Sequence, residues 1–325
     1  MASETLLSVR NIPKNLLRPG VLYAYGYVAF SFAIILALIY AGAMINGVLP
    51  AILFYILIGL FQYRLSIVLH DCVHYSLFES KTANILVGDL AAAMLFTTFT
   101  NFRVGHYAHH KFYRTGDDPS LPDYTVIPKS KWDVIWFMLQ PLVGYAVFVK
   151  LAQFADVQSG KTSKQADGRS GSDSLSGRTP LTELIIMGLV QVLLFALASR
   201  GFAEPLRSAY LVFFPAATIV LFLSRVRTFL EHGGLNEDHH DEEAPPRNCG
   251  RNTISAMVER FILSPMNFNY HFWHHKYPSI PSSNLPGLHQ WYLDNQPEFF
   301  EDEEHEEVHA DTFFATLRQF LATLD

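Results

Sequence analysis

The stretch PAILFYILIGLFQYRLSIVLHDCVH, residues 50–74, sets two demands side by side. Its first part, residues 50–69, is apolar enough and long enough to cross about 30 Å of hydrocarbon as a helix. Arg64 sits near the end of that run, where a long side chain is expected to snorkel its head group toward water. Directly afterwards HDCVH places His70 and His74 four residues apart, on one face of a helix. Whether this pair holds a metal depends on what the rest of the chain offers.

Outward from this stretch the same pattern recurs. Residues 21–45 carry no charge and form another span, followed by the short turn Asn46-Gly47, so the first two spans make an antiparallel hairpin. The run is too long for a signal-peptide core, although Ala41-Gly42-Ala43 resembles a cleavage site. Two further spans are read at 181–198 and 209–223, joined by a segment with Arg200, Glu204 and Arg207. Residues 83–100 contain Asp89, and a lone acid near the bilayer centre costs roughly 2.5–3.5 kcal/mol. Residues 132–154 are broken by Gln140, Pro141 and Gly144. Both stretches are therefore assigned to the interface or to re-entrant segments. Residues 158–180 are rich in Ser, Gly and charge, and read as a flexible linker inside a single domain of residues 1–325.

Composition agrees with a membrane protein. Half of the 325 residues are hydrophobic and 17% are charged, with a mean hydropathy of +0.17, too apolar for an ordinary soluble chain. A net charge of −6 gives no sign of a nucleic-acid partner. Two cysteines, Cys72 and Cys249, make no disulfide framework, and Cys72 reads as a small packed residue. Arg10, Lys14 and Arg18 precede the first span and the loop 70–180 is rich in Lys and Arg. The positive-inside rule thus puts both termini and that loop in the cytoplasm. The arginines at 200 and 207 run against this assignment.

Two more histidine clusters follow: HYAHH gives His106, His109 and His110, and HFWHH gives His271, His274 and His275. A single pair at i, i+4 is commonly coincidence. Two additional i, i+3, i+4 triplets in so apolar a chain are not. Imidazole suits iron, zinc, copper and nickel, so the ligands alone do not name the metal. Eight imidazoles exceed what one ion takes, whereas two ions with four or five nitrogens each fit the count. His232, in RTFLEHGG, is a ninth candidate. If all clusters share one site, an even number of crossings must separate them, in keeping with four spans and two demoted segments. The expected fold is an all-α integral membrane protein, with four transmembrane helices under a cytoplasmic helical cap that carries a histidine-rich di-metal site. His239 and His240, in an acidic loop, and the run 301–307 read as solvated surface, and His289 as structural.

With the three boxes in order, the GDDP stretch at 116–119, Glu231-His232 and NYHFWHHKYPSIPSSNLPGLH at 269–289, the chain resembles the membrane fatty acid desaturase superfamily. Three residues between the histidines of the first box, and a third box beginning with His, are similar to acyl-lipid desaturases rather than acyl-CoA or front-end types. The resemblance implies a non-haem di-iron centre held by His70, His74, His106, His109, His110, His232, His271, His274 and His275. It also implies dioxygen as co-substrate, a lipid acyl substrate, and two electrons from an external donor, a ferredoxin or small cytochrome. Hydroxylases and ketolases of lipids or carotenoids share such boxes and stay open as alternatives. Ligand histidines give their other N–H to an acceptor, for which Asp71, Asp117, Asp118, Glu231 and Asn269 are candidates. A membrane metal transporter is the remote alternative. Transporters place ligands near mid-span, whereas these clusters lie at or beyond span ends.

Overall fold

Helix α1, Val21–Met44, contains no charged residue, and its polar Ser31 returns a hydrogen bond to the Tyr27 carbonyl at 2.8 Å. Gly47 at φ +116° turns the chain, a conformation that a side chain would strain, and α2, Val48–Val73, runs back along α1. A computed structural model describes residues 8–126, 128, 130–145, 180–200, 203–233, 250–301, 309–310 and 312–324. Among these, α1, α2, α6 (Pro180–Ala198) and α7 (Pro205–His232) are long and apolar enough to cross a membrane.

Polar groups within the spans are used to join them. Gln62 donates to the Val212 carbonyl at 3.0 Å, and the hydroxyls of Tyr55 and Thr218 meet at 2.6 Å, tying α2 to α7. Arg200 and Arg207 both donate to the Ala43 carbonyl, at 2.8 and 2.6 Å. These two arginines cap the C-terminal end of α1, where cations complement the helix dipole. Within α7, π-helical turns at Ala209–Phe213 and Ala216–Val220 flank Pro215, whose missing N–H breaks the regular ladder.

Two spans outrun the expected limits. α2 continues four residues past 69, so His70 and Asp71 lie on the span itself; the polar residues there are satisfied by partners and do not end the helix. α7 starts at Pro205 rather than 209 and runs to His232 rather than 223. Arg64 does not snorkel. It is buried, donates to the Phe261 carbonyl at 3.1 Å, and stacks near the rings of Tyr27 and Phe261.

α3, Lys81–Met94, and α4, Phe99–Phe112, are bent against each other by 97°. Phe99 packs where Gly88 has no side chain; a Cβ there would sit 2.5 Å from its ring. The pair leaves the end of α2 and returns to it. The second demoted stretch begins as α5, Lys131–Leu139, passes through a 3-10 turn at Gln140–Val143, and breaks at Gly144. The remainder of it, and the linker at 158–180 except Pro180, fall outside the described residues, as do His239, His240, Cys249 and residues 302–307.

Among the described residues beyond the spans are the short helices α8 (Met257–Ile262), α9 (His271–Lys276), α10 (Leu285–Asn295) and α11 (Phe313–Ala322). A two-residue parallel pairing joins Asn252–Thr253 to His309–Ala310. Trp273, fully buried in α9, stacks on Tyr292 of α10 at 4.3 Å and donates to His289 at 3.0 Å, which fixes α9 against α10. His289 thus has a packing role against Trp273.

Candidate metal centre

Four helices deliver nine imidazoles to one place. α2 supplies His70, with His74 as its cap residue; α4 supplies His106, His109 and His110; α7 ends on His232; α9 supplies His271, His274 and His275. They fall into two groups, each with its ligand nitrogens within 4.8 Å of one another. One holds His70, His74, His106, His110 and His274, and the other His109, His232, His271 and His275. Each sequence triplet is divided. The i and i+4 members go to one group and the i+3 member to the other, because i+3 points about 60° to one side of i on a helix.

The nitrogens meet edge to edge. In the first group the Nε2–Nε2 distances are 2.9 Å for His70–His274, 2.8 Å for His74–His106, 3.0 Å for His106–His110 and 3.1 Å for His110–His274. In the second they are 2.9 Å for His232–His271 and 3.0 Å for His271–His275. The rings of His110 and His275 stack at 4.3 Å and join the groups.

What holds the rings decides which nitrogen is free. Asp118 accepts from His109 Nδ1 at 3.0 Å, from the Tyr124 hydroxyl at 2.6 Å and from the Ser120 N–H at 2.8 Å. Asp71 lies 3.2 Å from His70 Nδ1 and accepts from the Ser282 hydroxyl at 2.5 Å and N–H at 3.1 Å. A carboxylate only accepts, so His70 and His109 carry their protons on Nδ1 and present bare Nε2 lone pairs to the groups. Glu231, anchored by Arg227 at 3.0 Å, stands 3.6 Å from His271 Nδ1, and the Tyr113 hydroxyl stands 3.3 Å from His232 Nδ1. Burial holds His271, His274 and His275 neutral, pushing each well below the ordinary histidine range, and lowers His74 to about 3.

Converging, unprotonated lone pairs repel unless a cation gathers them. Imidazole–metal bonds of about 2.0–2.1 Å at right angles put neighbouring nitrogens about 3 Å apart, matching the spacings above. The donor sets therefore fit metal ions, and imidazole nitrogen is a donor that iron accepts.

Two of the acceptor candidates lie elsewhere. Asp117 is exposed on the turn after α4, its backbone N–H bound to Thr115 at 3.3 Å. Asn269 is buried but donates to the Thr253 carbonyl at 2.6 Å. Tyr113, Tyr124, Ser282 and Arg227, which complete the shell around the imidazoles, were not among the sequence candidates. Ser282 lies inside the 269–289 stretch that carries the resemblance, but only the fold shows that it reaches Asp71, 211 residues away.

Comparison with known proteins follows the same lines. The fatty acid desaturase family matches residues 46–302. The chain is 27% identical over 297 residues to dihydrorhizobitoxine desaturase of Bradyrhizobium elkanii, covering 86% of this chain and 78% of that protein. It is 25% identical over 292 residues to an sn-1 acyl-lipid omega-3 desaturase (ferredoxin) of Nostoc sp. (strain 36), covering 84% and 76%. A Synechocystis sp. protein of the same description is 26% identical over 152 residues, covering 45% and 42%. A match across residues 46–302 of 325, including all three histidine clusters, is decisive: the chain belongs to the fatty acid desaturase family.

Proposed function

We propose that the chain is a multi-pass membrane oxidase whose nine histidines hold two iron ions and which uses dioxygen and two electrons to desaturate the acyl chain of a lipid. The observation that carries this reading is the division of nine buried or half-buried imidazoles into two groups with ligand-like spacing. Bound there, iron would activate dioxygen, the oxidant needed to break an unactivated C–H bond.

The chain's own residues prepare that chemistry. Neutral rings leave lone pairs for the metal, and Asp71 and Asp118 keep the Nδ1 protons of His70 and His109 in place. His70, His109, His232, His271 and His274 are buried, while His106, His110 and His275 keep part of their surface. A substrate carbon approaches from that open edge, beside the exposed Tyr107 of α4. The ends of α2 and α7 meet at the centre, and by the distribution of basic residues this end and both termini face the cytoplasm. A ferredoxin as donor is supported by the descriptions of the Nostoc and Synechocystis relatives. A lipid acyl chain as substrate is supported by the same descriptions.

Expression with lipid profiling tests the reading. The unaltered chain yields acyl chains with an added double bond, and His109→Ala yields none. Identical products from both would refute the site assignment, and stoichiometric zinc without iron in the purified protein would refute the oxidase. A hydroxylated product would assign the chain to the oxygen-inserting branch of such enzymes.

A further inference from the structure

Three short helices outside the four spans share an unusual face. α5 exposes Trp132 and Trp136, α8 exposes Met257 and Val258 by 84% and 63%, and α11 exposes Phe314 by 65%. Each also carries one exposed cation, respectively Lys131, Arg260 and Arg318, and α5 exposes one acid, Asp133, which accepts from Ser130 at the start of the helix. The acid of α8, Glu259, is turned inward and buried. It accepts from the Ala256 N–H at 3.3 Å and from the Phe314 N–H at 3.0 Å, so that it binds α8 to α11 and leaves the outward face apolar and basic.

Their depth is fixed by what they touch. Phe261 of α8 packs edge-on against Phe61 of α2 and takes Arg64's hydrogen bond, and Tyr63 donates to the Leu263 carbonyl at 2.5 Å. Those α2 residues precede His70 by six to nine positions, about 9–14 Å along the helix. Phe137 of α5 and Phe320 of α11 both pack on Phe229 of α7, at 5.9 and 5.1 Å, and Val134 and Met138 of α5 and Phe313 of α11 share one apolar cluster with Ala216, Val220 and Leu223 further down α7. All three helices therefore lie beside the apolar length of the spans, below the histidines rather than above them. Large apolar side chains at that level, bordered by Lys and Arg, match a surface bedded at the boundary of acyl chains and phosphates.

We infer that α5, α8 and α11 form a collar that lies in the head-group layer of the bilayer on the histidine side, with lipid as its partner. The inference rests on the proposed membrane spans, and continuity with them is what selects lipid over water or a second protein. The collar sets the histidine centre just above the membrane surface, so that an acyl chain reaches it without crossing water.

The test uses the full chain in lipid nanodiscs whose phosphatidylcholine is brominated either near the head group or deep in the acyl chain. The reporters are the native Trp132 and Trp136, and Met257→Trp and Leu193→Trp (the latter on the outward face of α6), each introduced into a Trp132→Phe/Trp136→Phe background whose remaining Trp273 and Trp291 emission is subtracted as the baseline. The expected result is that shallow bromine lowers the emission of the collar reporters about twofold and more than deep bromine does, while Leu193→Trp is quenched as well. Quenching of Leu193→Trp with collar reporters open to aqueous acrylamide overturns the collar and leaves the spans standing. Collar reporters shielded from both quenchers mean that protein covers this face, and also overturn it. If Leu193→Trp is not quenched by bromine, the spans themselves fail. None of these readouts depends on metal or turnover.

Discussion

Asp117 and Asp118 are adjacent carboxylates with opposite fates. Asp118 gathers His109, Tyr124 and Ser120, whereas Asp117 faces solvent. Removing a carboxylate that orients a ligand histidine typically costs 10–100-fold in metal affinity or activity. Asp118→Asn should therefore lose iron and turnover by about one to two orders of magnitude, while Asp117→Asn keeps both, as metal analysis and product assay would show. Sequence could not choose between these neighbours, since both lie in one polar turn and only the path of the chain decides which carboxylate meets a ring. Asn269 illustrates the same point, having been drawn to the Thr253 carbonyl. The histidine clusters were legible as candidates because i, i+3, i+4 spacing on a helix is a local property. Acid acts at this scale too. His74 in the folded chain sits at about 3 against an ordinary value of 6.5. The folded form thus refuses a proton that the unfolded form takes up, and stability falls as pH drops below 6.5 until it nears 3. The rings of His271, His274 and His275 shift in the same direction. Thermal unfolding of the purified protein, followed from neutral to mildly acidic pH, should show a midpoint that decreases steadily; a flat profile would contradict the burial.

At the scale of elements, apolar runs revealed where spans lie but not where they stop. α2 and α7 both continue into residues that look like loop in a hydropathy reading, because His70, Asp71, Glu231 and His232 find polar partners in other elements. Arg64 likewise looked bound for water, yet it is held by the Phe261 carbonyl from the far end of the sequence. The demotion of residues 83–100 has a physical basis in the 97° bend between α3 and α4. That bend depends on Phe99 lying against Gly88, where an added Cβ would be 2.5 Å from the ring. Gly88→Val should force the two helices apart at a cost of about 1–3 kcal/mol and displace His106 from His74. The readouts are a lower unfolding midpoint and reduced iron content, while Gly188→Ala on α6, with nothing within 4 Å of its Cβ position, should leave both unchanged.

Across the whole molecule, the candidate ligands from residue 70 to residue 275 are gathered from α2, α4, α7 and α9, so the two groups can assemble only once the fold is complete. Metal bound to the folded chain alone stabilises it by mass action. Removal of iron by a chelator should lower the unfolding midpoint, and restoring iron should recover it; a midpoint indifferent to metal would mean that the imidazoles do not bind it. The division of HYAHH and HFWHH between two groups has one more consequence. α4 and α9 each send rings to both groups, so an ion captured by either group also orients the rings that await the other. On the proposed two-ion reading, occupancy is then cooperative. Titration of the metal-free protein would pass mainly from chains holding no ion to chains holding a pair, with singly loaded chains scarce throughout.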